Sequence, residues 1–231
     1  MSGRAVSVVI AVYNGERYLE AAIRSALGQT APPDEIVVVD DGSADESARI
    51  ARAFGPPVRC LSEPHRGVSA ALNRGVEQAR GTFLAFLDAD DLWIEDKLAR
   101  QLDALAADPS LDAVFGHVEQ FPSPELPPSE RPRLDERLRV APGYLAGALL
   151  IRAEAFHRVG PFDPNWQIGN FIDWYLRAQE AGLRDAMLGA IVLRRRLHGD
   201  NMGTRERVAR GAYAQILKRA LDRRRSRGAP G

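Results

Sequence analysis

Residues 6–15 read VSVVIAVYNG: a near-continuous apolar run, Val6–Val12, breaking off into Tyr13, Asn14 and Gly15. A β-branched run without polar alternation is how a strand covered on both faces reads, and the Asn-Gly step after it marks a turn. The segment that follows, Glu16–Leu27, changes period. Leu19, Ala22, Ile23, Ala26 and Leu27 recur at helical spacing, and Gly28 is placed to end the helix. The alternation then repeats, with strands expected at Glu35–Val39, Val58–Leu61 and Phe83–Leu87 and helices at Ser43–Phe54, Ser69–Ala79 and Glu95–Ala106. Ser43 followed by Glu46 has the pattern of a capping box opening the second helix. Strands and helices in this order predict an α/β protein, a single domain with a mostly parallel central sheet and helices on both faces.

Further along, Asp112–Val118 reads as a fifth strand. Phe121–Pro142 holds Pro122, Pro124, Pro127, Pro128, Pro132 and Pro142, a density that predicts a long loop without regular structure. An apolar run Leu145–Ile151 follows, then a helix from near Ala153, an acidic turn Gly160–Pro164, a helix Ile172–Ala181, a strand Ala190–Leu193 and a terminal helix Thr204–Arg223. The organisation expected is one domain over residues 1–203, with a first half to about residue 120 and a second half from about 121, and a basic tail over 204–231.

With 231 residues, 45% of them hydrophobic and 27% charged, the chain can bury a core without metal or disulfide staples. Cys60 is the sole cysteine, so an intrachain disulfide and a cysteine-built metal cluster are excluded, and a reducing, cytoplasmic setting is expected. No apolar run approaches 18 residues, so neither a transmembrane helix nor a signal peptide is expected. The formal charge is zero, yet Arg205–Arg227 carries nine basic residues against two acidic ones. The rest is therefore acidic, which argues against a nucleic-acid partner for the body of the domain.

Ligands of open α/β sheets bind beyond the carboxyl ends of the strands. Those ends here are Ala11–Gly15, Asp40-Asp41-Gly42-Ser43 and Asp88-Ala89-Asp90-Asp91. So many acids in one crevice repel one another unless a cation or hydrogen-bond donors compensate. In an extended segment, Asp88 and Asp90 point to the same face. A carboxylate pair with open positions suits a hard divalent cation, Mg or Mn, holding a diphosphate. No G-x-G-x-x-G follows the first strand, no Walker lysine loop occurs, and Gly67–Ala71 lacks the second glycine of a nucleophile elbow.

The stretches VVIAVYNG, IVVVDDGSAD, HRGVSAALNRGVEQARGTFLAFLDADDLW and VGPFD, resuming at IDWYLRAQEAG and RLHGDNMG, resemble the successive motifs of inverting family 2 glycosyltransferases with the GT-A fold. That resemblance implies a nucleotide-binding domain and transfer of a sugar from a nucleotide-linked donor, commonly UDP-linked, to an acceptor hydroxyl. It implies that Tyr13 and the Ala11 backbone line the base pocket and that Asp40 accepts a hydrogen bond from the base. It places Asp88 at the ribose and metal, Asp90 on the divalent cation, Asp91 sharing that work, and Asp173 as the general base. His198, with Asn201, matches a segment that closes over the diphosphate, and His198 joins the metal set.

Two positions depart from the pattern: Ile172 stands where a glutamate precedes the base, and Leu72 where an arginine is common. Trp93 reads as core and Trp166 as the tryptophan to stack on a sugar ring. A nucleotidyltransferase and a non-catalytic sugar-nucleotide-binding relative stay as alternatives. The tail allows two readings. In one, Val208, Ala212, Tyr213, Ile216, Leu217, Ala220 and Leu221 dock the helix on the domain; in the other, its basic end, Arg223–Arg225 included, touches an anionic membrane presenting a lipid-linked acceptor. The acceptor itself, lipid-linked or glycan, is left open.

Overall fold

The computed structural model describes residues 4–126, 139–199 and 206–228. Its strands are β1 (Val6–Val12), β2 (Glu35–Asp40), β3 (Val58–Ser62), β4 (Phe83–Phe86), β5 (Leu92–Trp93), β6 (Ala113–Pro122), β7 (Val140–Pro142), β8 (Leu150–Arg152) and β9 (Asp185–Leu197). Its helices are α1 (Leu19–Leu27), α2 (Ser47–Ala53), α3 (Val68–Gln78), α4 (Lys97–Ala107), α5 (Ala153–Val159), α6 (Asn170–Glu180) and α7 (Glu206–Gly228). One sheet runs in the order β3-β2-β1-β4-β8-β6-β9-β5, with β7 on β6. The pairings give β1, β2, β3, β4, β6 and β9 one direction, while β5, β7 and β8 oppose it, so the sheet is mostly parallel.

The reason β1 sits centrally is visible in its alternation. Val8, Ile10 and Val12 enter a core with Leu19 and Ile23 of α1 and Leu98 and Leu105 of α4. Val9, pointing the other way, joins Leu72 and Val76 of α3, Phe156 of α5 and Trp174 of α6. Both faces are therefore covered, which is why the strand needs no polar residue beyond Ser7. Gly75 lets α3 approach, since a Cβ there would come within 2.3 Å of Val9 Cγ1.

Several expectations need correction. The Ser43–Glu46 capping box does not form: α2 begins at Ser47, and the Ser43 hydroxyl accepts instead from the Asn14 backbone N–H. The proline-rich segment is not wholly irregular. β6 continues to Pro122, whose missing N–H is tolerated at a strand end, and β7 closes back onto it; residues 127–138 lie outside the described chain. The strand read as Ala190–Leu193 is the 13-residue β9, carried by parallel pairing with β6 through two register shifts. β5 was not anticipated from its two residues.

The tail helix α7 packs along α6, burying Ile216 and Ala220. The single apolar stripe read from sequence is split: Tyr213, Leu217 and Leu221 remain exposed. The side chain of Val208, like Arg205 and Asn201, lies outside the described residues. Among the described residues no helix is long and apolar enough to cross a membrane.

Candidate functional site

The loops after β1 and β2 are stitched together. The Asn14 N–H donates to Ser43 Oγ (2.9 Å), the Ala44 N–H to Asn14 Oδ1 (2.8 Å), the Gly15 N–H to Ser47 Oγ (2.9 Å) and the Glu46 N–H to Glu16 Oε2 (2.9 Å). Asn14 takes φ +50, a left-handed conformation that asparagine tolerates. This lacing fixes what projects from the strand ends.

Asp40, buried at the end of β2, accepts from the Ser43 N–H (3.1 Å) and the Ser62 hydroxyl (3.5 Å). Asp41 turns its buried carboxylate to the next loop, taking the N–H groups of Arg66 and Gly67, both at 2.8 Å, with His65 Nδ1 at 2.9 Å. Gly42 makes the sharp turn between them at φ +75; a Cβ there would sit 2.9 Å from the His65 nitrogen. His65, held this way, stacks on the half-exposed ring of Tyr13 with centroids 4.0 Å apart. The result is an aromatic shelf beside a buried carboxylate, with the half-buried Ala11 on the strand beneath. His65 and Asp41 had no assigned role in the sequence reading; the only signal was their place at successive strand ends.

After β4 the chain turns rather than extending, with the Asp91 N–H bonded to the Asp88 carbonyl (3.1 Å). Asp88 and Asp90 are therefore not set on one face of an extended segment; the turn instead brings one oxygen each from Asp88, Asp90 and Asp91 within 4.8 Å of one another. Asp91 is buried and accepts from the Arg196 N–H (2.8 Å). The Arg196 guanidinium donates through Nε to the Asp90 carbonyl (2.9 Å) and lies between the rings of Tyr18 and Phe121, 4.8 Å from each. His198 Nε2 is 2.9 Å from Asp90 Oδ2, and its ring meets Tyr18.

The electrostatics show an arrangement in want of positive charge. Asp88 opens to solvent on one side, yet the protein packed around its carboxyl, and then repulsion by Asp90, pushes it up to about 6, while Arg195 pulls it down. Burial, followed by repulsion from Asp88 and Asp90, drives Asp91 well above the usual carboxylate range. An oxygen-rich set of crowded acids fits a hard divalent cation.

Asp173 is the remaining candidate residue. Asp173, in the first turn of α6, is 3% exposed and contacts the arginines Arg177 (3.0 Å) and Arg223 (3.6 Å), neither of them part of the acid cluster. Its neighbour Ile172 is 39% exposed. Leu72 fills an apolar core position in place of the arginine of the pattern. Trp93 is core, its Nε1–H donated to the Gly147 carbonyl at 2.9 Å. Trp166 is not the open stacking surface expected: it is buried, with the Arg219 guanidinium 4.8 Å from its ring centre.

The family model described as glycosyl transferase family 2 matches residues 7–160. An uncharacterised glycosyltransferase of Rickettsia conorii is 34% identical over 171 residues, covering 68% of this chain and 28% of that protein. Another, from Nostoc, is 32% identical over 182 residues, covering 71% of this chain and 56% of its own length. The chain thus spans about a quarter to just over half of these relatives. Among solved structures, the mannosyltransferase PcManGT of Pyrobaculum calidifontis, in complex with GDP-Man and Mn2+, superposes with a TM-score of 0.70 at 21% identity, covering 95% of this chain and 64% of that one. TarS 1–349 of S. aureus in complex with UDP-GlcNAc gives 0.66 at 19% identity, covering 87% and 60%. The fold is the GT-A type.

Proposed function

Because the chain belongs to glycosyl transferase family 2, we propose that it moves a sugar from a nucleoside-diphosphate sugar, UDP-linked, to an acceptor hydroxyl with inversion and with the help of Mg or Mn. The observation that carries this is the acid cluster Asp88, Asp90 and Asp91 at the end of β4, in the same strand-end crevice as the Tyr13–His65 shelf and Asp40. Solved neighbours holding UDP-GlcNAc, or GDP-Man with Mn2+, support a donor of this class.

In this reading the base lies on Tyr13 and His65 and hydrogen-bonds Asp40, over the Ala11 backbone. Asp88 and Asp90, with Asp91, would hold the cation, and His198 would join them or orient Asp90. The cation when bound offsets negative charge on the departing diphosphate. Asp173 receives the acceptor hydroxyl's proton; a carboxylate suffices as base because the hydroxyl turns acidic only as it attacks. Direct displacement needs one base, unlike the two carboxyls that flank a glycosidic bond in hydrolases. The pairs to Arg177 and Arg223 fix the Asp173 carboxylate in place. The acceptor, lipid-linked or glycan, and a cytoplasmic setting with peripheral membrane contact belong to the same reading.

One observation favours a second reading. Asp173 is turned into ion pairs while Ile172 takes the exposed position beside it, as in a relative that binds sugar nucleotides without transferring. A panel of sugar nucleotides, each incubated with and without candidate acceptors, separates the two. Acceptor-dependent release of nucleoside diphosphate supports transfer. Donor binding without release under every acceptor supports the binding protein.

A further inference from the structure

The two faces of α7 are used differently. On the inner face, Ile216 and Ala220 are buried, Arg219 pairs with Asp163 at 3.3 Å, and Arg223 grips Glu180 at 2.9 Å and Asp173 at 3.6 Å. Both arginines, which charge counting alone would assign to a partner, already have carboxylate partners within the fold, Arg219 from an exposed position and Arg223 from a half-buried one. The outer face keeps what is left. Leu217 and Leu221, four residues apart, are 54% and 52% exposed, while Tyr213, 36% exposed, turns its ring toward Gly169, where an added Cβ would lie 3.1 Å from its Cε1. These three account for half of the exposed large hydrophobics among the described residues, the others being Tyr13, Tyr144 and Ile172. Lys218, Arg224 and Arg225 stand exposed around the leucine pair. The acid among the described side chains of this helix, Asp222, is exposed as well.

We propose that this outer face of α7, the Leu217–Leu221 pair with Lys218, Arg224 and Arg225, is a docking surface for an anionic lipid bilayer. From Leu217 to Arg225 the face runs eight residue steps, about 12 Å of helix, and its two leucines offer far less than the roughly 1,200 Å² that a stable dimer buries. A bilayer imposes no such requirement. The two leucines enter the headgroup boundary while flanking cations stay with anionic headgroups. Each cation near such a surface adds to the attraction, and the attraction falls within a Debye length, so the contact is reversible and salt-sensitive. Docking through the inner face holds α6, and with it Asp173, at a fixed place relative to that surface. The inference deepens the reading of a lipid-linked acceptor above, but its measurement needs no transfer reaction.

The test is co-sedimentation of the full chain with vesicles of phosphatidylcholine alone or mixed with phosphatidylglycerol, at low and moderate salt. Binding is expected only to the anionic vesicles and to weaken with salt. Arg224→Ser with Arg225→Ser should lower the partition coefficient roughly tenfold or more, and Leu217→Ser with Leu221→Ser should lower it by a similar factor. All four positions are exposed, so circular dichroism and melting of the variants should match the parent. No binding at low salt, or binding indifferent to both double variants, overturns the proposal. So does a concentration-dependent dimer that the leucine pair dissolves, because the face then belongs to a second copy. Vesicle binding by a protein that turns over no donor keeps the surface and removes the transferase reading instead.

Discussion

Asp173 carries the most at the scale of single residues. Its carboxylate is held between Arg177 and Arg223, and the acid of the family pattern that would precede it is Ile172. If it is the base, Asp173→Asn keeps the shape and loses the proton acceptor, so turnover should fall by roughly 10²–10⁴-fold with donor affinity nearly unchanged. Single-turnover rates and donor titrations read the two separately; lost affinity with unchanged turnover would make Asp173 a structural anchor of α7. The acid cluster gives a pH prediction. Burial and mutual repulsion hold the carboxyls of Asp88 and Asp91 above the ordinary carboxylate range in the folded state, Asp88 up to about 6. The native state therefore binds more protons than the unfolded state in that window, and their contribution to stability is lost as pH rises through it. Melting curves without divalent cation should show this contribution fading from about pH 4 to 6. Added Mn2+ should restore it near pH 7 and do little at pH 4, where the acids are protonated. A cation effect independent of pH would contradict the crowding of these carboxylates.

Among elements, the C-terminal end of β9 matters most and was the least legible. Its Arg194-Arg195-Arg196 run had no role assigned from sequence, yet Arg196 is 8% exposed, clamped between Tyr18 of the loop before α1 and Phe121 of β6. Through that clamp β9 delivers an N–H to Asp91 and His198 to Asp90. Tyr18→Ala should loosen the clamp and weaken divalent cation binding by roughly 10–100-fold, the usual cost of disturbing residues that orient metal ligands. Cation titration followed by thermal shift measures it; unchanged affinity would leave Tyr18 a packing residue only. β1, in contrast, was legible to its exact ends because both its faces are covered, and a doubly covered strand declares itself locally. β9 did not, because its length depends on β6 lying beside it, a long-range pairing that alternation within the segment does not encode. The capping box failed for a related reason: Ser43 had a better partner 29 residues away in the stitched loop of β1.

For the whole molecule, the sheet order and the two covered faces put the Tyr13, Asp40 and Asp88–Asp91 ends on one edge, as the alternation of strands and helices anticipated. What composition could not tell was how the basic tail is spent. Charge counting treats Arg219 and Arg223 like Arg224 and Arg225, whereas the fold pairs the first two with Asp163 and Glu180. In the proposed function the crowded acids hold a divalent cation serving a sugar-nucleotide donor. This is tested most directly by nucleoside diphosphate release from the best donor and acceptor, with Mn2+ or Mg2+ titrated into protein stripped by chelator, for the parent and for Asp90→Asn. The account predicts that release by the parent vanishes in excess chelator and returns with the cation, and that Asp90→Asn, still folded by circular dichroism, stays near background at every cation concentration. Full release in excess chelator, or an Asp90→Asn protein as active as the parent, would contradict it.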